Sequence, residues 1–215
     1  FCLDRAGLVG DDGYTHHGVF DLSYLRMMPN MIVMAPKDEN ELRHMLATAL
    51  KHEGPIAVRY PRGSGLGVPC TEPLTILPLG KGEVILPGKE VILWAVGTMV
   101  STAVVVADAL REQGYGAGVI NARFVKPIDE ELLKETAAGA KLIVTLEENV
   151  LLGGFGSAVL ETASRLSLTR QTEFLTLGLP DAYVTQGDKK LLLKDLHLDS
   201  DSITQTIVDK LKTIG

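Results

Sequence analysis

Between Asp4 and Gly18 the chain gathers groups that can do chemistry. Asp4-Arg5-Ala6-Gly7 is followed by Gly10-Asp11-Asp12-Gly13-Tyr14-Thr15-His16-His17-Gly18. This supplies a cation, carboxylates and two imidazoles on a glycine-rich segment that comes after a short apolar run. In open α/β sheets, ligands bind outside the carboxyl ends of strands, which is where this segment is expected. Imidazole titrates near neutrality and suits proton transfer. The alternative is a polar loop whose Asp and Gly residues only build turns. A second cluster, Arg59-Tyr60-Pro61-Arg62-Gly63, follows another apolar run. A guanidinium offers a planar fork of donors that matches phosphate. Arg5 and Arg62 can clamp one phosphate if their strands are neighbours; otherwise they are surface arginines with unrelated partners.

Other patterns are less pointed. Gly63-Ser64-Gly65-Leu66-Gly67 precedes no helical pattern, so a phosphate cradle is not expected there. Gly153-Gly154-Phe155-Gly156 opens a helix without the full dinucleotide spacing, and close helix–strand packing accounts for its glycines. Gly10-Asp11-Asp12-Gly13 with Asn40 shares letters with a Gly-Asp-Gly…Asn metal signature, yet Asn40 reads as part of a helix start beside a capping Asp38. His44, His52 and His197 read as surface residues, His52 near a helix C-terminus. Glu147-Glu148-Asn149 follows a predicted strand end, where a functional pair and a structural contact are equally open readings.

These groups must be held by an alternation of short apolar runs and helical periodicities, the mark of a mostly parallel sheet covered by helices. Phe1-Cys2-Leu3-Asp4 reads as the end of a buried strand, which suggests a truncated chain. Strands are predicted at Met31–Met34 and Ile56–Val58, with a helix between them capped by Asp38 and Glu41. Glycines and prolines crowd residues 63–90, which reads as a connector with a short hairpin near Glu83–Leu86. The domain division is placed near residue 80, giving units 1–80 and 81–215. In the second unit, strands are predicted at Val91–Val96, Gly118–Asn121, Leu142–Leu146 and Glu173–Leu177. Helices are predicted at Val100–Gln113, Asp129–Ala138, Gly156–Leu166, Lys189–Leu193 and Ser202–Lys212.

Composition narrows the function classes. A formal net charge of -6 argues against nucleic acid as the main partner, since phosphate backbones call for basic stripes. No apolar run approaches the roughly 18 residues of a membrane span. Two distant cysteines, Cys2 and Cys70, fit neither a zinc pattern nor a disulfide framework, and a reducing compartment is the simpler reading.

The motifs taken together resemble 1-deoxy-D-xylulose-5-phosphate synthase, a transketolase-like family. The resemblance rests on Asp4-Arg5-Ala6-Gly7, Asp12-Gly13-x-Thr15-His16-x-Gly18, Phe20-Asp21-Leu22-Ser23-Tyr24-Leu25-Arg26 and Arg59-Tyr60-Pro61-Arg62-Gly63. It continues through Arg123-Phe124-Val125-Lys126-Pro127, Glu147-Glu148-Asn149 and Gly178-Leu179-Pro180-Asp181. It implies an α/β fold: the latter part of a pyrimidine-binding domain, then a transketolase C-terminal domain with a mostly parallel sheet. The implied reaction condenses pyruvate with glyceraldehyde 3-phosphate on thiamine diphosphate and Mg2+, with loss of carbon dioxide. It feeds isoprenoid precursor, thiamine and pyridoxal biosynthesis. By the same resemblance, Arg5 and Arg62 hold the acceptor phosphate. Asp12 and His16 bind the acceptor hydroxyl and carbonyl and assist proton transfer, while His17 has no assigned chemistry and its loss is expected to matter little.

The resembled family has three domains, and its cofactor-anchoring part and activating Glu match nothing here. The chain alone is therefore expected to be inactive and to bind no cofactor tightly. A homodimer is implied, in a bacterial cytoplasm or, alternatively, a plastid. Competing readings are a non-catalytic dimerisation or regulatory module, or the beta subunit of a 2-oxo-acid dehydrogenase. The last needs no phosphate clamp, so Arg5 with Arg62 counts against it.

Overall fold

A computed structural model describes residues 1–214. In chain order the elements are β1 (Cys2–Leu3), α1 (Asp21–Met27), β2 (Ile32–Met34), α2 (Glu39–Lys51), β3 (Ile56–Arg59), β4 (Glu83–Leu86), β5 (Val91–Ala95), α3 (Met99–Glu112), β6 (Ala117–Asn121), β7 (Phe124–Lys126), α4 (Glu130–Ala137), β8 (Leu142–Val150), α5 (Phe155–Arg165), β9 (Glu173–Leu179), α6 (Lys189–Asp195) and α7 (Ser200–Ile214). Two sheets form, ordered β1-β3-β2-β7 and β4-β6-β5-β8-β9. The first is parallel except for β7, the second parallel except for β4. This is the mostly parallel α/β architecture expected.

Side-chain alternation along β5 explains how one strand serves two cores. Val91, Leu93 and Ala95 point into an apolar layer with Ala103, Val106 and Leu110 of α3 and Ile203 and Ile207 of α7. Ile92 and Trp94 face the other way, into a core shared with Leu22, Val33, Ala57 and Phe155. That second core joins the two sheets, and each fully buried aliphatic in it contributes about 1.5–3 kcal/mol. The outer face of the first sheet is closed by α2, where Met34, Met45, Ile56, Val58 and Phe124 meet.

Several local expectations need correction. Glu83–Leu86 is not a hairpin but an edge strand antiparallel to β6. Phe124–Lys126 is a strand of the first sheet, pairing antiparallel with β2, so a late segment closes an early sheet. Three residues are too short to carry a strand period, which is why the motif alone did not reveal it. α1 also went unpredicted, being a short helix with no side-chain cap. β1 is an edge strand of two residues with Cys2 exposed, not a buried one. Glu147-Glu148-Asn149 lies inside β8 rather than after it, because the strand runs on to Val150.

Asp38 caps α2 as expected, its side chain accepting from the Glu41 N–H at 2.7 Å. Glu41 returns to the Lys37 N–H at 2.7 Å. Asn40 does something else: its Oδ1 accepts from the Thr71 N–H at 2.8 Å and ties the connector to the helix. His44 is buried rather than on the surface, with Nε2 3.0 Å from Thr71 Oγ1 and Nδ1 accepting from the Thr75 N–H at 2.9 Å. Residues 61–82 contain no helix or strand and are mostly exposed. Backbone held by so few ladder bonds opens at low cost. Limited proteolysis is therefore expected to cut first between residues 63 and 80; first cuts inside β5–β8 would contradict this ordering of local stability.

Candidate active site

β1 and β3 are parallel neighbours, with Cys2 opposite Val58 and Leu3 opposite Arg59. The chain leaves both strands at the same edge, so Arg5 and Arg62 emerge side by side. Between them stands Asp12, on a short 3-10 turn at Gly10–Asp12. The Arg62 guanidinium hydrogen-bonds Asp12 Oδ2, and Arg5 Nε lies 3.9 Å from that same oxygen. One anionic oxygen thus already reaches both arginines. Arg5 Nε is buried with no hydrogen-bond partner of its own, while its Nη1 donates to Asp4 at 2.6 Å.

Arg5 takes a left-handed backbone, φ 60°, which a non-glycine residue adopts at a cost of order 1 kcal/mol or more. The surroundings hold it there. The Gly18 N–H donates to the Arg5 carbonyl at 3.0 Å and the Ala6 N–H to the Tyr60 carbonyl at 3.0 Å. A Cβ on Gly18 would collide with the Arg5 carbonyl, so the loop can return this closely only at a glycine.

His16 is exposed, its Nδ1 3.0 Å from Thr15 Oγ1. Asp12 pairs with the two arginines and not with His16, against the expectation that imidazole and carboxylate would stand together. His17 is the buried imidazole of the pair. Its Nδ1 accepts from the Val9 N–H at 3.0 Å and its Nε2 lies 3.3 Å from the Thr185 carbonyl, a pattern that suits the tautomer with N–H at Nε2. His17 ties the acidic turn to the segment before α6. A run of Gly, His and Asp carries no period that would separate the inward ring from the outward one.

Arg59, left without a role in the sequence reading, is 5% exposed. Its Nε donates to Asp21 Oδ2 at 3.3 Å, and its Nη2 donates to the carbonyls of Gly18 and Glu148, the latter at 2.9 Å. Strand alternation sends Glu147 and Glu148 to opposite faces of β8. Glu147 accepts from the N–H groups of Phe155 and Gly156, both at 2.7 Å, and so caps α5. The glycines there serve close packing, as expected: a Cβ on Gly154 would collide with Glu147. Asn149 accepts from the Leu22 N–H at 3.2 Å, bringing α1 onto β8. For Glu147 and Asn149 the structure shows the contact reading. The 63–67 glycine loop does cradle an anion, but it is the chain's own Glu39, which accepts from the N–H groups of Leu66, Gly67 and Val68. A nearby cavity of about 180 Å³ is lined by Lys37, Leu42, Tyr60, Ser64, Thr98 and Ser101 and includes neither Arg5 nor Asp12.

Among the described residues no three His, Cys, Asp or Glu side chains come together as a metal-ligating group. Among the described residues no helix is long and apolar enough to cross a membrane. Cys2 and Cys70 are free and exposed.

Family comparison matches the earlier and later parts of the chain to two separate domains. The family model described as transketolase, C-terminal domain, matches residues 80–203, and that described as transketolase, pyrimidine binding domain, matches residues 1–66. The chain belongs to the transketolase family. It is 53% identical over 203 residues to 1-deoxy-D-xylulose-5-phosphate synthase 1 of Geobacter sulfurreducens, covering 94% of this chain and 32% of that protein. It is 51% identical to the synthase of Thermomicrobium roseum, covering 100% of this chain and 34% of that protein. The chain thus spans about a third of the length of the curated relatives it matches. Among solved structures, a split-gene transketolase described as an inactive beta4 tetramer superposes with a TM-score of 0.83 at 31% identity, covering 98% of this chain and 65% of that one. A Campylobacter jejuni transketolase, at 18% identity and a TM-score of 0.69, shares the fold.

Burial pushes the Glu147 carboxyl up to about 7, against the opposing pull of the Gly156 and Phe155 N–H groups, Arg59 and Arg26. A carboxyl with a raised folded pKa contributes stability that is fully present below its ordinary value near 4.5 and is lost as pH rises through about 7. Urea unfolding from pH 4.5 to pH 8 should show the native chain losing a few kcal/mol relative to Glu147→Gln across that window. A constant difference between the two would show that Glu147 does not titrate there.

Proposed function

We propose that this chain is the acceptor-binding part of a thiamine-diphosphate-dependent 1-deoxy-D-xylulose-5-phosphate synthase, which condenses pyruvate with glyceraldehyde 3-phosphate and releases carbon dioxide. The observation that carries the reading is the convergence of Arg5 and Arg62 on one anionic oxygen at adjacent strand ends. Their side chains are 40% and 54% exposed, so an incoming phosphate can reach both. Asp12 occupies that position now. A dianionic phosphate competes well with one carboxylate for two guanidinium forks. Displaced from them, Asp12 is free to accept from the acceptor hydroxyl. His16, exposed on the same loop, supplies a proton at the aldehyde oxygen as charge develops there.

In this reading the activity needs more than these residues, as the chain spans about a third of the length of the synthases it resembles. By itself the chain does not turn over substrate in this reading. The similar split-gene chain, described as an inactive tetramer, supports that view and, in this reading, self-association of the chain as a homodimer. The units divide near residue 80, and the relatives named above support a bacterial cytoplasm over a plastid.

In a full-length synthase carrying this sequence, Arg62→Ala should raise KM for glyceraldehyde 3-phosphate by about 10- to 100-fold, the scale of a lost charge-assisted bond. KM for pyruvate should change little. An equal rise in both would make Arg62 a structural residue and remove the phosphate reading.

A further inference from the structure

We propose that Glu148, in the second sheet, is the positioning residue for the acceptor loop and that Lys189 is its fixed counter-charge; this rests on the reading of Arg5, Asp12 and Arg62 given above. Glu148 touches none of those three side chains. It is 4% exposed, and donors from three separate segments converge on its carboxylate. Oε1 accepts from the Leu8 N–H and forms an ion pair with Lys189 Nζ at 2.8 Å, and Oε2 accepts from Thr98 Oγ1 at 3.1 Å. The strand face that carries it has no apolar substitute that could meet Leu8, since a backbone N–H buried here requires an acceptor.

The loop is shaped to receive this carboxylate. Gly7 has φ 74° and no side chain, and a Cβ there would collide with Glu148. From that point three consecutive residues are held. Leu8 donates to Glu148, Val9 donates to His17 Nδ1, and the Gly10 carbonyl accepts from the Gly187 N–H at 3.3 Å. Gly10 also has φ 74°, and a Cβ there would stand 3.0 Å from the Gly187 carbonyl and 3.9 Å from Lys189 Cβ. Lys189 is therefore packed against the loop as well as paired with Glu148. The turn that bears Asp12 begins at Gly10. A displacement of Leu8–Gly10 thus moves Asp12 relative to Arg62, which is anchored independently through β3. Reactive groups displaced by an ångström lose about 10²-fold in rate, so a carboxylate that holds Leu8, four residues before Asp12, can control acceptor binding without touching the acceptor.

Lys189 makes the arrangement electrostatically distinctive. Its side chain is 36% exposed and its charge is balanced by Glu148. Removing Glu148 alone both releases the loop and frees a cation beside it; removing both groups releases the loop without the added charge. The two effects have opposite signs on phosphate affinity and can be separated.

The test uses full-length synthase carrying this sequence, with Glu148→Gln, Lys189→Met, the double variant and Arg62→Ala, measuring KM for each substrate together with the melting temperature. Positioning predicts that Glu148→Gln and the double variant both raise KM for glyceraldehyde 3-phosphate by about tenfold or more, with KM for pyruvate unchanged. Lys189→Met, at a partly exposed site that leaves the core intact, should raise the acceptor KM in the same direction. Equal changes in both KM values with a lowered melting temperature would reduce Glu148 to a structural residue. A lower acceptor KM in Glu148→Gln that the double variant reverses would make its role purely electrostatic. An unchanged acceptor KM in all three would end the proposal. If Arg62→Ala alone leaves the acceptor KM unchanged, the phosphate reading fails, whatever Glu148 does.

Discussion

The guanidinium of Arg59 sits where the first sheet, the acidic loop and the second sheet meet. It donates to Asp21 at the start of α1, to the carbonyl of Gly18 where the loop returns, and to the carbonyl of Glu148 in β8. Taking a charge out of water costs several kcal/mol unless partners satisfy it, and removing one partner of such a set costs about 3–5 kcal/mol. The buried arginine therefore admits one arrangement of these three segments. Arg59 is also the last residue of β3. The same backbone that fixes Arg59 carries Tyr60, whose carbonyl receives the Ala6 N–H, and then Arg62. The exposed arginine at the site inherits its position from the buried one.

This constraint explains why the two units cannot be understood separately. β7, from the later part of the chain, closes the first sheet, and its neighbour Arg123 donates to the buried Glu41 at 2.7 Å. Asn121 donates to the same carboxylate at 2.9 Å. In the other direction, Glu148 and the segment around Thr185 and Gly187 form one wall of the Gly7–Gly18 loop. The acidic loop belongs by sequence to the first unit and is shaped by the second. In the proposed function the C-terminal unit thus has a share in acceptor binding.

The longer elements were legible in the sequence because their burial follows a period. Each predicted helix of the later part is present with ends displaced by a few residues, and the parallel strands are where the apolar runs lie. What could not be read is long-range and polar. Nothing near Phe124 announces that it pairs with Met34, 90 residues earlier in the chain. The motif match brought out Arg5, Asp12, His16 and Arg62, and in the fold two of them, Arg5 and Arg62, meet one oxygen of a third, Asp12. His17, His44 and Arg59 escaped because a polar side chain becomes structural only through partners distant in sequence. Glu148 was noticed but could not be separated from Glu147, since their different tasks follow from strand alternation and the pairing of β8 on both sides.

The central claim is that Arg5 and Arg62 form one phosphate site at the ends of β1 and β3. The most direct measurement is a crystal structure of a full-length synthase carrying this sequence with glyceraldehyde 3-phosphate bound. The account predicts the phosphate between the two guanidinium groups, each within about 3 Å of a phosphate oxygen, with Asp12 withdrawn from Arg62. A phosphate bound elsewhere, with the Arg62–Asp12 pair intact, would contradict it.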